Sequence, residues 1–565
     1  MAVFAVIVPG LTLATPVTKL RQGYPMRKFA LILLIAAAFS CAALADDGNH
    51  HDDITLDQLG TVHFPVSCKP ESQKNFEKGV ALLHSFWYEE SKKTFSELAG
   101  SDPNCAMAYW GEAMSDWHQL WDHPEASTIK SASEELRKAD KLAENKSAVT
   151  DRERGYIAAA DAFYANSEKM NHEARAREYS SAMERVYKQN PEDHEAAAFY
   201  ALSLLASEPD GDTTFANRKQ AGAILEKLFA IEPNHPGIAH YLIHAYDKPQ
   251  LAQLGLPAAQ RYAAIAPSAP HAVHMPSHIF ARVGDWQDSI KSNLASIALT
   301  RKATEMNMGG GGHQFHAMDY LIYAYLQIGR DAEALKVIDE VKAMPASHMA
   351  GHGNDTQAFG LSKFPAMYAL ELHRWKEAAA LPVIAAAAPA DRAYTYWAKA
   401  IGSVRSGDLS SARKDLAEIV AIKKDAIEKK KHYISDEAEM YENEVSAWIL
   451  HGEGKNDEAT AAMRKAADHE DAVGEEQTSM PAREMLADML LEMKRPVQAL
   501  EEYEAALKFN PKRFDGLYGA GQAAEAAGQA SRASEFYASL VKSCEGAGSE
   551  RPELARAKQS ILAAK

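Results

Sequence analysis

The stretch Pro496 to Val541 reads PVQALEEYEAALKFNPKRFDGLYGAGQAAEAAGQASRASEFYASLV. It repeats itself: Ala499, Tyr503 and Ala506 are followed, one period further on, by Ala533, Tyr537 and Leu540. That period is about 34 residues, within the range of stacked structural repeats. Two short apolar-periodic segments lie between the marked residues, joined by a glycine-containing turn. Pro511 closes the unit, because proline cannot continue a helix. Small residues stand where two helices must cross closely. The spacing therefore predicts helix–turn–helix units that stack on copies of themselves.

The same register recurs upstream. Gly79, Phe95 and Pro103 mark one unit, and Ala221, Leu225 and Pro233 another, whose first half carries an insertion around Pro209–Thr214. Looser matches surround Ala334–Val341, Trp375–Leu381, Ala412–Ile419 and Ala459–Ala466. No segment shows strand alternation. The arrangement resembles the tetratricopeptide repeat (TPR), and the resemblance covers most of residues 70–545. It implies an all-α solenoid of about ten to twelve units, wound as a right-handed superhelix. The first helix of each unit would line a concave groove, and a protein or peptide partner is the occupant the resemblance implies. The histidine-bearing run quoted below, together with PAREMLADMLLE (residues 481–492), is also similar to a group of bacterial exported TPR proteins without an assigned activity.

The N-terminus reads as an address. Met26-Arg27-Lys28 precedes an apolar run from Phe29 to Phe39, and Ala43-Leu44-Ala45 gives the small-x-small pattern of a cleavage site. Residues 1–45 are expected to be a secretory signal peptide, with residues 1–25 an upstream extension from a mis-chosen start codon. Cys41 sits in a poor lipobox, so lipid anchoring is not expected, and no later stretch has the ~18 apolar residues of a membrane span. The chain carries 61 Lys+Arg against 77 Asp+Glu, net −16. Removing Lys19, Arg21, Arg27 and Lys28 with the leader leaves 57 against 77, net −20, which disfavours nucleic acid as a partner. Periplasmic export is the expectation. An oxidising compartment permits a Cys68–Cys105 disulfide, with two buried thiols as the alternative and Cys544 left over. The expected division is a segment 46–70, an array 71–355 containing the site, and a second array 356–565.

The 22 histidines are not scattered evenly. HPGIAHYLIHAYD (residues 235–247) places His240, His244 and Asp247 at i, i+4, i+7; PHAVHMPSHIF (residues 270–280) places His271, His274 and His278 at i, i+3, i+7. His274 lies one structural period after His240, and His278 the same period after His244. In the next unit His316, Asp319 and Tyr323 again follow i, i+3, i+7, with His313 just ahead. Three adjacent first helices would aim these side chains at one stretch of the inner face. His with Asp is the ligand set of zinc, iron and manganese, so His240, His244, Asp247, His271, His274, His278, His316 and Asp319 are candidate metal ligands, enough for two ions. A polar partner-contact surface and ordinary packing remain the alternatives.

His84, Glu112, Ser115 and Asp116 form a second polar group beside Trp87, Trp110, Trp117 and Trp121, where aromatics at helical spacing read first as core. If the metal site is catalytic, Glu112, Asp116 or Tyr323 would assist it. His50-His51-Asp52-Asp53 reads as a solvated tail, Gly309–Gly312 as a loop beside the site, and His348 and His352 as linker residues. Nucleophile elbows, Walker loops, dinucleotide fingerprints and CxxC motifs are absent. Three functions stay open: a groove-binding exported protein with a metal site, a metal-dependent hydrolase or oxidoreductase, and a metal-free scaffold.

Overall fold

Tyr503 and Tyr537 show the physical cause of the period. A Cβ added to Gly519 would fall 2.3 Å from the Tyr503 ring, and one added to Gly521 2.3 Å from the Tyr537 ring. Both glycines lie in the first helix Phe514–Ala526, which Tyr503 meets from the unit before and Tyr537 from its own unit, so the repeated tyrosines clasp one helix from two sides. Phe95 also packs on glycine at the other end of the array, lying against both Gly79 and Gly111. The turn between paired helices needs a left-handed residue, supplied by Gly528 at φ +75° in one unit and by Lys494 at φ 59° in the unit before.

The computed structural model describes residues 54–120, 123–310, 313–345, 356–474 and 478–563. Among them there is no strand. The fold is an all-α tetratricopeptide-like solenoid of paired helices, exemplified by Phe514–Ala526 with Ala530–Ser543 and by Gln73–His84 with Tyr88–Ser101. No described helix is long and apolar enough to cross a membrane. The expected leader, Cys41, the 50–53 tail, Trp121, His348 and His352 lie outside the described residues. Trp87, Trp110 and Trp117 are buried, the last stacked on Phe163 at 3.5 Å between ring centroids. Cys68 and Cys105 are joined as a disulfide, with Cα atoms 4.7 Å apart, and Cys544 is buried and free.

The buried apolar residues described form three clusters along the array. One cluster contains residues from Ala281 to Tyr368 and so lies on both sides of the division expected at residue 355. The winding is tight enough to bring distant repeats together. Lys248 Nζ donates to the Val473 carbonyl at 2.8 Å, and Trp286 Nε1 to the Lys512 carbonyl at 3.0 Å. Arg513, fully buried, reaches Glu484 in its own region as well as Glu371 and Tyr323, 142 and 190 residues away. At the other end, His84 and Phe86 press onto the helix Pro236–Tyr246. Gly237 allows that approach: a Cβ there would meet the His84 ring at 2.4 Å. At these places side chains from distant repeats meet directly.

Candidate metal centre

Three helices bring the histidines together. Pro236–Tyr246 begins on proline in its first turn, capped by His235, whose Nδ1 accepts the Ile238 N–H at 3.2 Å. The next repeat's first helix is broken into Pro270–His274 and Pro276–Arg282, since Pro276 has no N–H to donate. The third is His313–Gln327. Neighbouring helices pack about 8–10 Å apart, so inward-pointing imidazoles of adjacent repeats meet.

Two groups of three result, each with ligand atoms within 4.8 Å of one another: His274, His278 and His316, and His240, His244 and His271. In the first, His274 Nε2 lies 3.0 Å from His278 Nε2, and His316 Nε2 lies 3.3 Å from the same atom. The far side of two of the three rings assigns the proton. His274 Nδ1 is 2.7 Å from Asn293 Oδ1, and Asn293 is oriented by donating Nδ2–H to the Ser289 carbonyl. His278 Nδ1 is 2.8 Å from Asp247 Oδ2. Both Nδ1 atoms are therefore donors, and two Nε2 lone pairs face each other in a buried place. A proton on His278 Nε2 would satisfy His274, while the His316 ring, whose buried Nδ1 has no hydrogen-bond partner, would stay unanchored. A cation satisfies all three: donors at the ~2.0–2.1 Å of a tetrahedral zinc site stand about 3.3 Å apart.

In the second group His240 Nδ1 donates to the His84 carbonyl at 2.6 Å, leaving Nε2 bare and 3.0 Å from His244 Nε2. The Phe86 ring lies against all three imidazoles, 4.3 Å from His240, 5.5 Å from His244 and 5.7 Å from His271 between centroids. Burial, then neighbouring histidines, drives the proton affinity of His240, His271, His274 and His316 far below the ordinary range and that of His244 to about 3. These rings are neutral at neutral pH, the form that binds metal.

The two aspartates are held by protein partners. Asp247 orients His278 with one oxygen and accepts from Arg282 Nε at 3.1 Å with the other. Burial opposes its charge, but His278 and Arg282 hold its carboxyl well below the usual range. Asp319 is buried against Lys363 Nζ at 3.0 Å and Thr478 Oγ1 at 2.9 Å. A period-based reading sees that a residue faces inward, not which neighbour it meets there. Tyr323 likewise points into the Arg513 network at 2.6 Å, and it is Tyr320 that stacks on His278 at 4.4 Å between centroids. Asp116 pairs with Lys92 at 2.6 Å, and Glu112, raised by burial and by Glu135, keeps company with Ser96 and Lys138.

His84 belongs to a third buried group with Glu195 and His235. Glu195 accepts from His84 Nε2 at 2.8 Å and His235 Nε2 at 2.9 Å; the remaining nitrogens accept from Tyr241 OH and Ile238 N–H. Every ring nitrogen there has a partner, so this group is complete as a hydrogen-bonded support. Sequence reading missed Asn293, Arg282, Glu195 and Phe86. Tyr320, four residues after His316, and Arg282, four residues after His278, had a helical-spacing signal; Asn293, Glu195 and Phe86 come from other helices or turns.

A cavity of about 440 Å³ opens beside the centre, lined by His244, Asp247, Arg282, Arg218, Lys248 and Glu208 among others. Arg218 is anchored there by Glu208 and by the His244 carbonyl.

No protein-family model matches the chain, and neither does any curated protein. Among solved structures, it is similar to a monomeric mutant of IFIT1 with Gppp-AAAA: TM-score 0.33, 15% identity, 77% of this chain and 90% of that one. The human IFIT1 dimer with m7Gppp-AAAA follows at TM-score 0.32, with the same identity and coverage.

Proposed function

We propose that this chain is an exported, periplasmic protein of the bacterial TPR kind that holds a transition metal between adjacent repeats and offers it to a small polar ligand. The observation that carries the reading is the convergence of the His274, His278 and His316 Nε2 atoms at 3.0 and 3.3 Å, with two of the rings fixed from behind by Asn293 and Asp247. Metal-binding histidines are oriented in this way by carboxylate and amide partners. With both aspartates engaged elsewhere, the donor set is all imidazole, which turns the metal preference from manganese toward zinc, copper or iron. A cavity of this size suits a small molecule.

Three protein ligands leave a coordination position open, and that count supports a second reading as a metal-dependent hydrolase or oxidoreductase. Here the metal would supply Lewis acidity or a redox couple; Tyr320 and the Asp247–Arg282 pair would hold protons and orient the ligand.

Elemental analysis of protein purified without a histidine tag tests the proposal. At least one equivalent of zinc, copper or iron is expected after loading and desalting. Less than about 0.2 equivalents of each, with loading making no difference, overturns it and leaves a metal-free scaffold.

A further inference from the structure

We infer that His240, His244 and His271 form a second three-imidazole site beside the first, so that consecutive repeats carry a pair of late transition ions of the copper–zinc class. The inference rests on the metal-binding reading above and adds to it the number of ions and their arrangement.

The two sites are built alike. His240 and His274 occupy equivalent positions of consecutive repeats, as do His244 and His278. In each pair the Nε2 atoms stand 3.0 Å apart, and in each the earlier histidine gives its Nδ1 proton to a fixed oxygen, the His84 carbonyl or Asn293 Oδ1. The repeat has thus duplicated a two-histidine clip. The third donor then comes from the following repeat, His271 for one clip and His316 for the other. His271 is also the wall between the sites: its ring is 5.0 Å from His240 and 6.1 Å from His274.

Phe86, held at φ 53° in the turn that follows the first helix, covers the second group from the apolar side. His244, on the other side, lines the cavity and gives that group its way in. None of the six donors is a carboxylate, which excludes the hard ions magnesium and calcium and favours copper or zinc. Neutral imidazoles bring no compensating charge, so monovalent copper is the less costly ion to bury. A neutral His244 donating Nε2–H to His240 is the competing arrangement, and stoichiometry separates the two.

The experiment uses the full chain, untagged and stripped of metal, titrated with copper(I) and, in a separate series, zinc(II), with bound metal counted after desalting. Two equivalents are expected for one or both ions. His244→Ala and His316→Ala should each retain one equivalent, and the double variant none, with circular dichroism confirming the helices. A single equivalent in the unaltered chain overturns the pair while leaving the metal-binding reading intact. No bound metal overturns both. Two equivalents that survive His244→Ala place the second ion elsewhere and overturn this assignment. Because the count on the unaltered chain decides between one ion and two, misfolding of a variant does not protect the inference.

Discussion

Arg513→Met is the substitution that weighs the closure of the solenoid. The guanidinium donates to Glu484 at 3.0 and 2.8 Å, to Glu371 at 3.0 and 3.2 Å, and to Tyr323 OH at 2.6 Å. All three charged side chains are 1–2% exposed. Methionine fills much of the volume but leaves two buried carboxyls facing a thioether. A carboxylate so placed takes up a proton instead of remaining charged, which caps its penalty. Starting from an ordinary value near 4.5, neutralising one at pH 7 costs about 2.5 pH units, or roughly 3.4 kcal/mol. A second carboxyl hydrogen-bonded to the first adds less, so about 4 kcal/mol is expected in total, in line with the ~3–5 kcal/mol for breaking a buried pair.

The sign of the pH effect follows from linkage. Burial already raises the Glu484 carboxyl to about 7 with Arg513 in place, and removing the guanidinium raises it further, so the variant's stability is retained at low pH and lost as pH increases. The gap to the unaltered protein should shrink to about 1–2 kcal/mol at pH 5 and widen toward pH 8. Urea unfolding by circular dichroism gives the global number. Hydrogen exchange over Ala482–Glu492 and Phe514–Ala526 gives the local one, which matters because long repeat arrays need not unfold in two states. Arg513→Lys, which keeps the charge and loses the fork, should fall between. A loss below about 1 kcal/mol, or one that does not change between pH 5 and 8, would show that the network is packing alone.

Other perturbations separate the remaining parts. Asp247→Ala removes the carboxylate behind His278 and should weaken metal affinity about 10–100-fold in a chelator competition; unchanged affinity would mean that His278 does not need its partner to bind. Asp161 is half-buried beside Asp140, and burial with that neighbour raises its carboxyl to about 7. Its folded value exceeds its unfolded one, so Asp161→Asn should raise stability by about 1–2 kcal/mol at pH 8, after discounting for solvent screening, and do little at pH 5. Equal melting shifts at both pH values would contradict the pairing. Cys68→Ser with Cys105→Ser opens a cross-link spanning 37 residues, worth about 4 kcal/mol in chain-entropy terms. A denaturation midpoint that does not move on substitution would deny the cross-link that role.

The helical repeat was legible because its cause is local. Tyr503 and Tyr537 recur one unit apart, both packed on glycines of the helix between them, and a period survives in one dimension. The histidines of the candidate centre were legible for the same reason, being placed by the register of first helices. What the register does not contain is the partner. Asp319 and Tyr323 share the inward face with His316, yet Lys363 claims one and Arg513 the other, from 44 and 190 residues away. Asp247 faces the centre but acts from behind His278, a role that depends on where Arg282 ends its helix. Contacts between distant repeats were illegible for a related reason. Superhelical winding is set by small rotations accumulated over many repeats, and only their sum brings Phe86 onto His240 and Arg513 onto Glu371. Sequence alone determined the unit, its period and which residues turn inward; the tertiary structure decided which of those residues meet, because contacts between distant repeats have no period to betray them.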